Sequence, residues 1–336
     1  MTVKTITLPF RYDQVGSLLR SSNLTEAREQ YKTGTITQDQ LINVENNEII
    51  RLIEKQKENG VLAITDGEFR RSWWHFDFLG GLDGVEYYEK DKGLDFHQME
   101  TRKEGIRVIG KIGFTTHPFV QHFEFLKQHA GEAVVKQTIP SPNMLIRRVD
   151  MNEEVYQDKE EFKQDIIVAY QKAIQAFYDA GCRYLQLDDT AWADLFSEEG
   201  HEKLRAKGLD PAEELVLMQQ MINESIANKP EDLTVTMHIC RGNYKSNYFT
   251  SGGYDYASEV IFGGLNVDGL FLEFDDERSG SFEPLKYVNR TNLKIVLGLI
   301  TSKAGELEDK EKIKARIQEA ATYVPLEQLC LSPQCG

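Results

Sequence analysis

Residues 234–240, TVTMHIC, put an imidazole and a thiol two positions apart on what reads as a strand. Val235, Met237 and Ile239 alternate with Thr234, Thr236, His238 and Cys240, the period of two that strands carry. Positions i and i+2 share a face, so His238 and Cys240 project side by side. Glu273 in GLFLEFDD and Cys335 in LSPQCG each follow another short apolar run. One imidazole, two thiols and a carboxylate are donors that Zn2+ accepts. A lone H-x-C says little, because buried His and Cys are ordinary in strands. Four such donors leaving three strand ends point to a metal held where those strands converge.

The elements that must position these donors are legible as alternation. Apolar runs within 11–20, 61–65, 133–138, 183–187, 233–240, 269–274, 293–300 and 328–331 read as eight strands. Helical patterns separate most of them. Thr25 reads as a cap before EAREQY, and Thr37 as a cap before a run with Leu41, Val44, Ile49, Leu52 and Ile53 near a 3.6 period. Further helices are expected over 159–180, 192–207, 212–227, 257–262 and 309–323, and a turn at Pro140-Ser141-Pro142. Strands alternating with helices predict an α/β fold, a (β/α)8 TIM barrel in one domain over 1–336. Residues 69–125, rich in aromatics and glycines, read as an inserted excursion of hairpins and loops over the barrel mouth between strands 2 and 3. The strand ends carry Ser17, Glu68, Ser141, Asp188, His238 with Cys240, Glu273, Thr301 and Cys335, at the face where such barrels keep their active sites. Polar loops account for a Ser or an Asp there, and poorly for two thiols.

Composition narrows the partners. With 336 residues, 40% hydrophobic and 28% charged, the chain has the make-up of an ordinary soluble globular protein. A net charge of −15 argues against a nucleic-acid partner or an anionic membrane surface. No apolar run approaches the roughly 20 residues that span a bilayer, and MTVKTITLPF lacks the apolar core of a signal peptide. Four cysteines make no disulfide framework, so a reducing cytoplasm is expected. Cys182 and Cys330 sit in apolar strand patterns and read as core.

The pieces VGS, TDGEFRR, RYLQLDD, TMHICRGNY, FLEFDDERSG, VLGLITSKAGELED and LSPQCG together resemble the catalytic C-terminal barrel of cobalamin-independent methionine synthases, over most of the chain. H-x-C, then a strand-end Glu, then P-x-C-G is the specific part. The resemblance implies Zn2+ held by His238, Cys240, Glu273 and Cys335, with the zinc-bound thiolate of homocysteine as the methyl acceptor. It implies that Val15 and Ser17 meet the substrate carboxylate while Glu68 and Asp188 receive its ammonium. The likeness is to the short, core-only type, without the large N-terminal domain of the long synthases, and it leads to the expectation of a further segment after Gly336. Two departures concern the methyl donor. The long enzymes use a Trp near the third strand for methylfolate, where this chain has IPSPNMLIRR, and a His after strand seven, where it has Thr301-Ser302-Lys303. Thiol alkyltransferases with other donors, methylcorrinoid proteins or epoxides among them, share this zinc barrel.

Thiol activation is also the chemistry these residue types suit. A free thiol has a pKa near 8.5 and is mostly protonated at neutral pH, and metal coordination removes that proton. Two thiolate ligands make a metal electron-rich, poor for activating water and suited to keeping a bound sulfur nucleophilic. A zinc hydrolase is the weaker enzyme reading, since no H-x-H or H-E-x-x-H spacing occurs. A structural zinc site in a binding protein is the non-catalytic alternative. Trp73 and Trp74, with Arg70, Arg71, His75 and Phe76, are candidates for a donor pocket, as are Ser141, Thr301 and Lys303. Arg241 and Lys245 read as solvated loop charge or as contacts to an anionic donor.

Overall fold

The computed structural model describes residues 7–91, 93, 95–96, 99–100, 102–149 and 151–336. The first six residues, which carry much of the stretch read as lacking a signal sequence, lie outside the described residues, as do a few positions of the excursion. In chain order, β1 (Ala63–Ile64) is followed by the excursion strands β2 (Asp83–Glu89), β3 (Asp95–Phe96), β4 (Met99–Glu100) and β5 (Glu104–Gly113). Then come β6 (Val134–Val135), β7 (Gln137–Pro140), β8 (Tyr184–Asp189), β9 (Thr234–Ile239), β10 (Gly269–Glu273), β11 (Lys294–Ile300) and β12 (Leu329–Pro333). Strands β7 to β12 form one parallel sheet in chain order, and β1 pairs in parallel with β6. Tyr12 bridges Leu331 and Ser17 bridges Gly67, both parallel, so the segment around 12–17 stands between β12 and β1.

This is the eight-strand order of a (β/α)8 barrel. Its first segment joins by single bridges in place of the full strand expected over 11–20. One physical reason is at Gly16, which takes φ +149, where a Cβ would sit 2.5 Å from Thr138 Cγ2. The third barrel strand also changes partners midway. Lys136 between β6 and β7 is buried, its Nζ donating to the Gln14 carbonyl at 2.5 Å and standing 3.8 Å over the Phe271 ring.

The helices follow the sequence pattern with instructive exceptions. They are α1 (Ser22–Lys32), α2 (Gln38–Glu58), α3 (Phe76–Leu79), α4 (Pro118–Ala130), α5 (Pro142–Arg148), α6 (Lys159–Asp179), α7 (Glu198–Ala206), α8 (Pro211–Ile226) and α9 (Lys310–Ala320). Thr37 caps α2 in a reciprocal box with Gln40. Thr25 does not cap α1: Ser21 accepts from Leu24 N, and Thr25 lies one turn inside. The expected turn at 140–142 opens α5, with Pro142 in its first turn. The helix expected over 192–207 is divided, because Asp189 draws Ala191 N and Trp192 Nε1 into a tight 3-10 turn and Ser197 caps a new helix. The helix expected at 257–262 is a short 3-10 turn running into a π-turn that ends on Gly263-Gly264.

The main apolar core lies between the sheet and its helices, where Ile166, Tyr170 and Phe177 of α6 pack with Leu185 and Leu187 of β8. A second cluster joins α1, α2 and α4 over β1. Inside the ring, Val15, Phe271, Val296 and Cys330 form a small cluster, and the Cα of Phe271 is the register partner of His238. The Cys182 and Cys330 thiols are pushed up by burial, to about 12 and about 11, and serve as core. β2 and β5 pair antiparallel, so the excursion does contain a hairpin. Among the described residues, no helix is long and apolar enough to cross a membrane.

Candidate metal centre and pocket

Strand β9 carries His238 on its inner face and delivers Cys240 one residue past its end. Cys335 arrives from the turn after β12. That turn packs onto Gly298 of β11, where a Cβ would stand 2.8 Å from Gln334 Cα, and Gln334 N donates to the Ile300 carbonyl at 2.7 Å. The ligand atoms of His238, Cys240 and Cys335 all lie within 4.8 Å of one another. His238 Nδ1 is 3.2 Å from the Phe271 carbonyl, an arrangement in which Nδ1–H donates and Nε2 is left as the lone-pair atom. Nε2 is buried, and the imidazole interacts directly with the Cys240 side chain.

The two thiols are electrostatically unequal. A hydrogen bond from Cys335 pushes the Cys240 thiol well below its ordinary range, against burial and with help from the His238 imidazole. The same hydrogen bond, with burial, pushes Cys335 well above it. Burial would lower the His238 imidazole, but the Cys240 thiolate and the carboxylates of Asp188 and Glu273 outweigh it and raise it.

Glu273, at the end of β10, is fully buried beside this trio but is not one of the clustered ligands. Its Oε2 accepts from Arg241 N at 2.6 Å, and its Oε1 is 2.5 Å from Arg278 and 3.5 Å from Lys303. Burial would raise this carboxyl, but Lys303, Arg241 and Arg278 hold it below the usual range. Tyr254 ties the strand ends together, accepting from Glu273 N at 2.9 Å and donating to the Ile239 carbonyl at 3.1 Å.

A pocket of about 310 Å³ opens over the trio. Val15, Ser17, Glu68 and Asp188 all line it. Glu68 Oε1 accepts from Arg71 and from Thr138 Oγ1, each at 3.0 Å, while Asp188 Oδ1 accepts from Gln186 Nε2 at 2.7 Å. The same Gln186 amide holds the Val15 carbonyl at 2.7 Å, fixing the first segment against β8. Burial pushes the Asp188 carboxyl up to about 7.

The far wall comes from the excursion and from the loop after β9. Trp73 lies parallel to Tyr244, interplanar angle 9° at 6.5 Å, with the Arg102 guanidinium 4.7 Å over its ring. Trp74 and His75 also line the pocket, and neither ring nitrogen of His75 has a hydrogen-bond partner. Burial, with Arg148 and Lys90 nearby, keeps that imidazole neutral.

Other sequence candidates lie elsewhere. Ser141 donates to Asp189 at 2.5 Å, Thr301 donates to Asp275 at 2.8 Å and Lys303 turns to Glu273, so none of the three lines the pocket. Arg70 pairs with Asn46 and Glu45 on α2. Arg241 is not solvated and does not line the pocket: it is fully buried, its Nε donating to the Gly252 carbonyl and its guanidinium lying over Tyr254. Sequence reasoning missed Arg148 and Tyr244 as wall residues. Tyr244 sits four residues past Cys240, and that adjacency was the one available signal.

Residues 11–336 match the family described as the cobalamin-independent synthase catalytic domain. The chain belongs to that family. It is 57% identical over 329 residues to the uncharacterized protein YxjG of Bacillus subtilis, covering 98% of this chain and 87% of that one. A methionine synthase of Sulfurisphaera tokodaii is 24% identical over 324 residues, 96% and 84% of the two chains. A crystal structure from Listeria monocytogenes, assigned as a vitamin-B12 independent methionine synthase, superposes with a TM-score of 0.82 at 51% identity over 98% of this chain and 92% of that one. Catalytic domains of this family are TIM barrels, in line with the strand order here.

Proposed function

We propose that this chain transfers a methyl group to the thiol of homocysteine, forming methionine, at a Zn2+ held by His238, Cys240 and Cys335 with Glu273 as the adjacent carboxylate. The observation that carries the reading is one pocket that joins two thiols and a tautomer-fixed imidazole at its base to two carboxylates on its wall. The donor set fits zinc: soft sulfur and imidazole nitrogen, gathered within reach of one ion. When bound, Zn2+ would supply deprotonation of the incoming thiol and keep its sulfur nucleophilic.

The remaining work falls to the chain. Asp188 and Glu68 receive the substrate ammonium, and the segment at Val15 and Ser17 receives its carboxylate. Gln186 orients Asp188 and that segment together. The excursion, through Trp73, Trp74 and His75, shields the pocket from water and offers flat and hydrogen-bonding surface to the methyl donor. Free thiols at Cys240 and Cys335 suit a reducing compartment, which favours the cytoplasm.

The test is methionine formation from homocysteine by zinc-loaded protein, screened against methylfolates of different glutamate length, methylcobalamin with or without a corrinoid protein, and small methyl donors. Turnover with any one of these, lost in Cys240→Ser, is the expected result and names the donor. No methionine from any of them, with zinc present, would overturn the acceptor assignment.

A further inference from the structure

We propose that Arg278 and Lys303 are positioning residues that hold Glu273 off the thiol cluster, making it a withdrawable ligand. The inference rests on the zinc reading above and goes beyond it, because it assigns the carboxylate two competing partners.

Glu273, Asp275, Arg278 and Lys303 form a buried quartet, with side-chain exposures of 0%, 0%, 10% and 12%. Arg278 reaches Glu273 Oε1 at 2.5 Å and Asp275 Oδ1 at 3.5 Å, and Lys303 reaches the same two carboxylates at 3.5 and 3.8 Å. Thr301 holds Asp275 in place at 2.8 Å, so Asp275 stays with the cations whatever Glu273 does. Arg278 also reaches the half-exposed Asp276 Oδ1 at 3.5 Å, so the two cations face three carboxylates. If Glu273 turns toward the trio, Asp275 remains as counter-ion and neither cation is left buried without a partner, the arrangement that would be costly. Glu273 also stays beside the cluster throughout, since its Oε2 is held by the N–H of Arg241, next to Cys240. A metal bound by His238, Cys240 and Cys335 therefore competes with Arg278 and Lys303 for this carboxylate. Whenever the cations win, one metal position stays open for a substrate thiol.

The experiment measures Zn2+ affinity by chelator competition for the wild type, Lys303→Met, Lys303→Arg, Glu273→Gln and the Lys303→Met/Glu273→Gln double variant. Lys303→Met should tighten Zn2+ about tenfold, the scale of one charge-assisted contact removed from the competing side. It should also weaken the homocysteine-dependent gain of a sulfur at the zinc X-ray absorption edge. Lys303→Arg should restore wild-type behaviour. In the Glu273→Gln background the Lys303→Met effect should vanish, which separates carboxylate competition from simple removal of a positive charge. Equal tightening in both backgrounds, or none in either, overturns the inference while leaving zinc binding and methyl transfer intact. A protein that binds no zinc overturns this inference together with the metal reading. If Lys303→Met does not fold, Lys303→Gln in the same cycle gives the same two readings.

Discussion

The ligand atoms of Cys240, Cys335 and His238 lie within 4.8 Å of one another, with His238 Nδ1 held by the Phe271 carbonyl. Replacing either thiol by a hydroxyl removes a soft donor without opening a cavity in the core. Cys240→Ser and Cys335→Ser are each expected to lose stoichiometric zinc, read by metal analysis, while circular dichroism stays that of the wild type. A Cys335→Ser protein with a full zinc complement would remove Cys335 from the site. Across the pocket, on the proposed ammonium assignment, Asp188→Asn and Glu68→Gln are each expected to remove a charge-assisted contact worth roughly 1.5–3 kcal/mol, or about ten- to a hundredfold in affinity for an amino-acid thiol. A thiol lacking the amine should respond little in calorimetric titrations of the same variants. Equal losses for both thiols would sink the ammonium assignment.

At the level of elements, the cap on α2 and the wall built by the excursion are separable. Thr37→Ala removes one half of the capping box and should cost about 1 kcal/mol in denaturant unfolding, with zinc content untouched. Trp73→Ala removes the ring that contacts both Arg102 and Tyr244, and should raise the KM for the methyl donor about three- to tenfold while homocysteine affinity holds. Loss of zinc in that variant would mean that Trp73 serves to hold the 241–249 loop. These elements also mark what could be read in advance. His238 and Cys240 were legible because a strand's period places i and i+2 together, and Thr37 because a capping box spans four consecutive residues. Thr25 misled because Ser21, an equally good cap, lies one turn earlier. Lys303 was expected near a donor, yet two buried carboxylates from another strand end attract it, a pairing no local pattern encodes.

On the scale of the whole molecule, parallel strands in register bring distant residues to one end. Asp188, His238 and Phe271 are successive register partners across β8, β9 and β10, though 83 positions separate the first from the last. That convergence was foreseeable from alternation of strands and helices. The partner change at Lys136 and the single-bridge joints around residues 12–17 were not, since both depend on close approach at Gly16 and on a buried lysine inside the ring. The account as a whole stands on a metal that accepts the substrate's sulfur. Zinc X-ray absorption of the loaded protein, recorded before and after adding homocysteine, tests this most directly. The sulfur count at zinc should rise by one when homocysteine binds, and a spectrum that does not change at saturating homocysteine would contradict it.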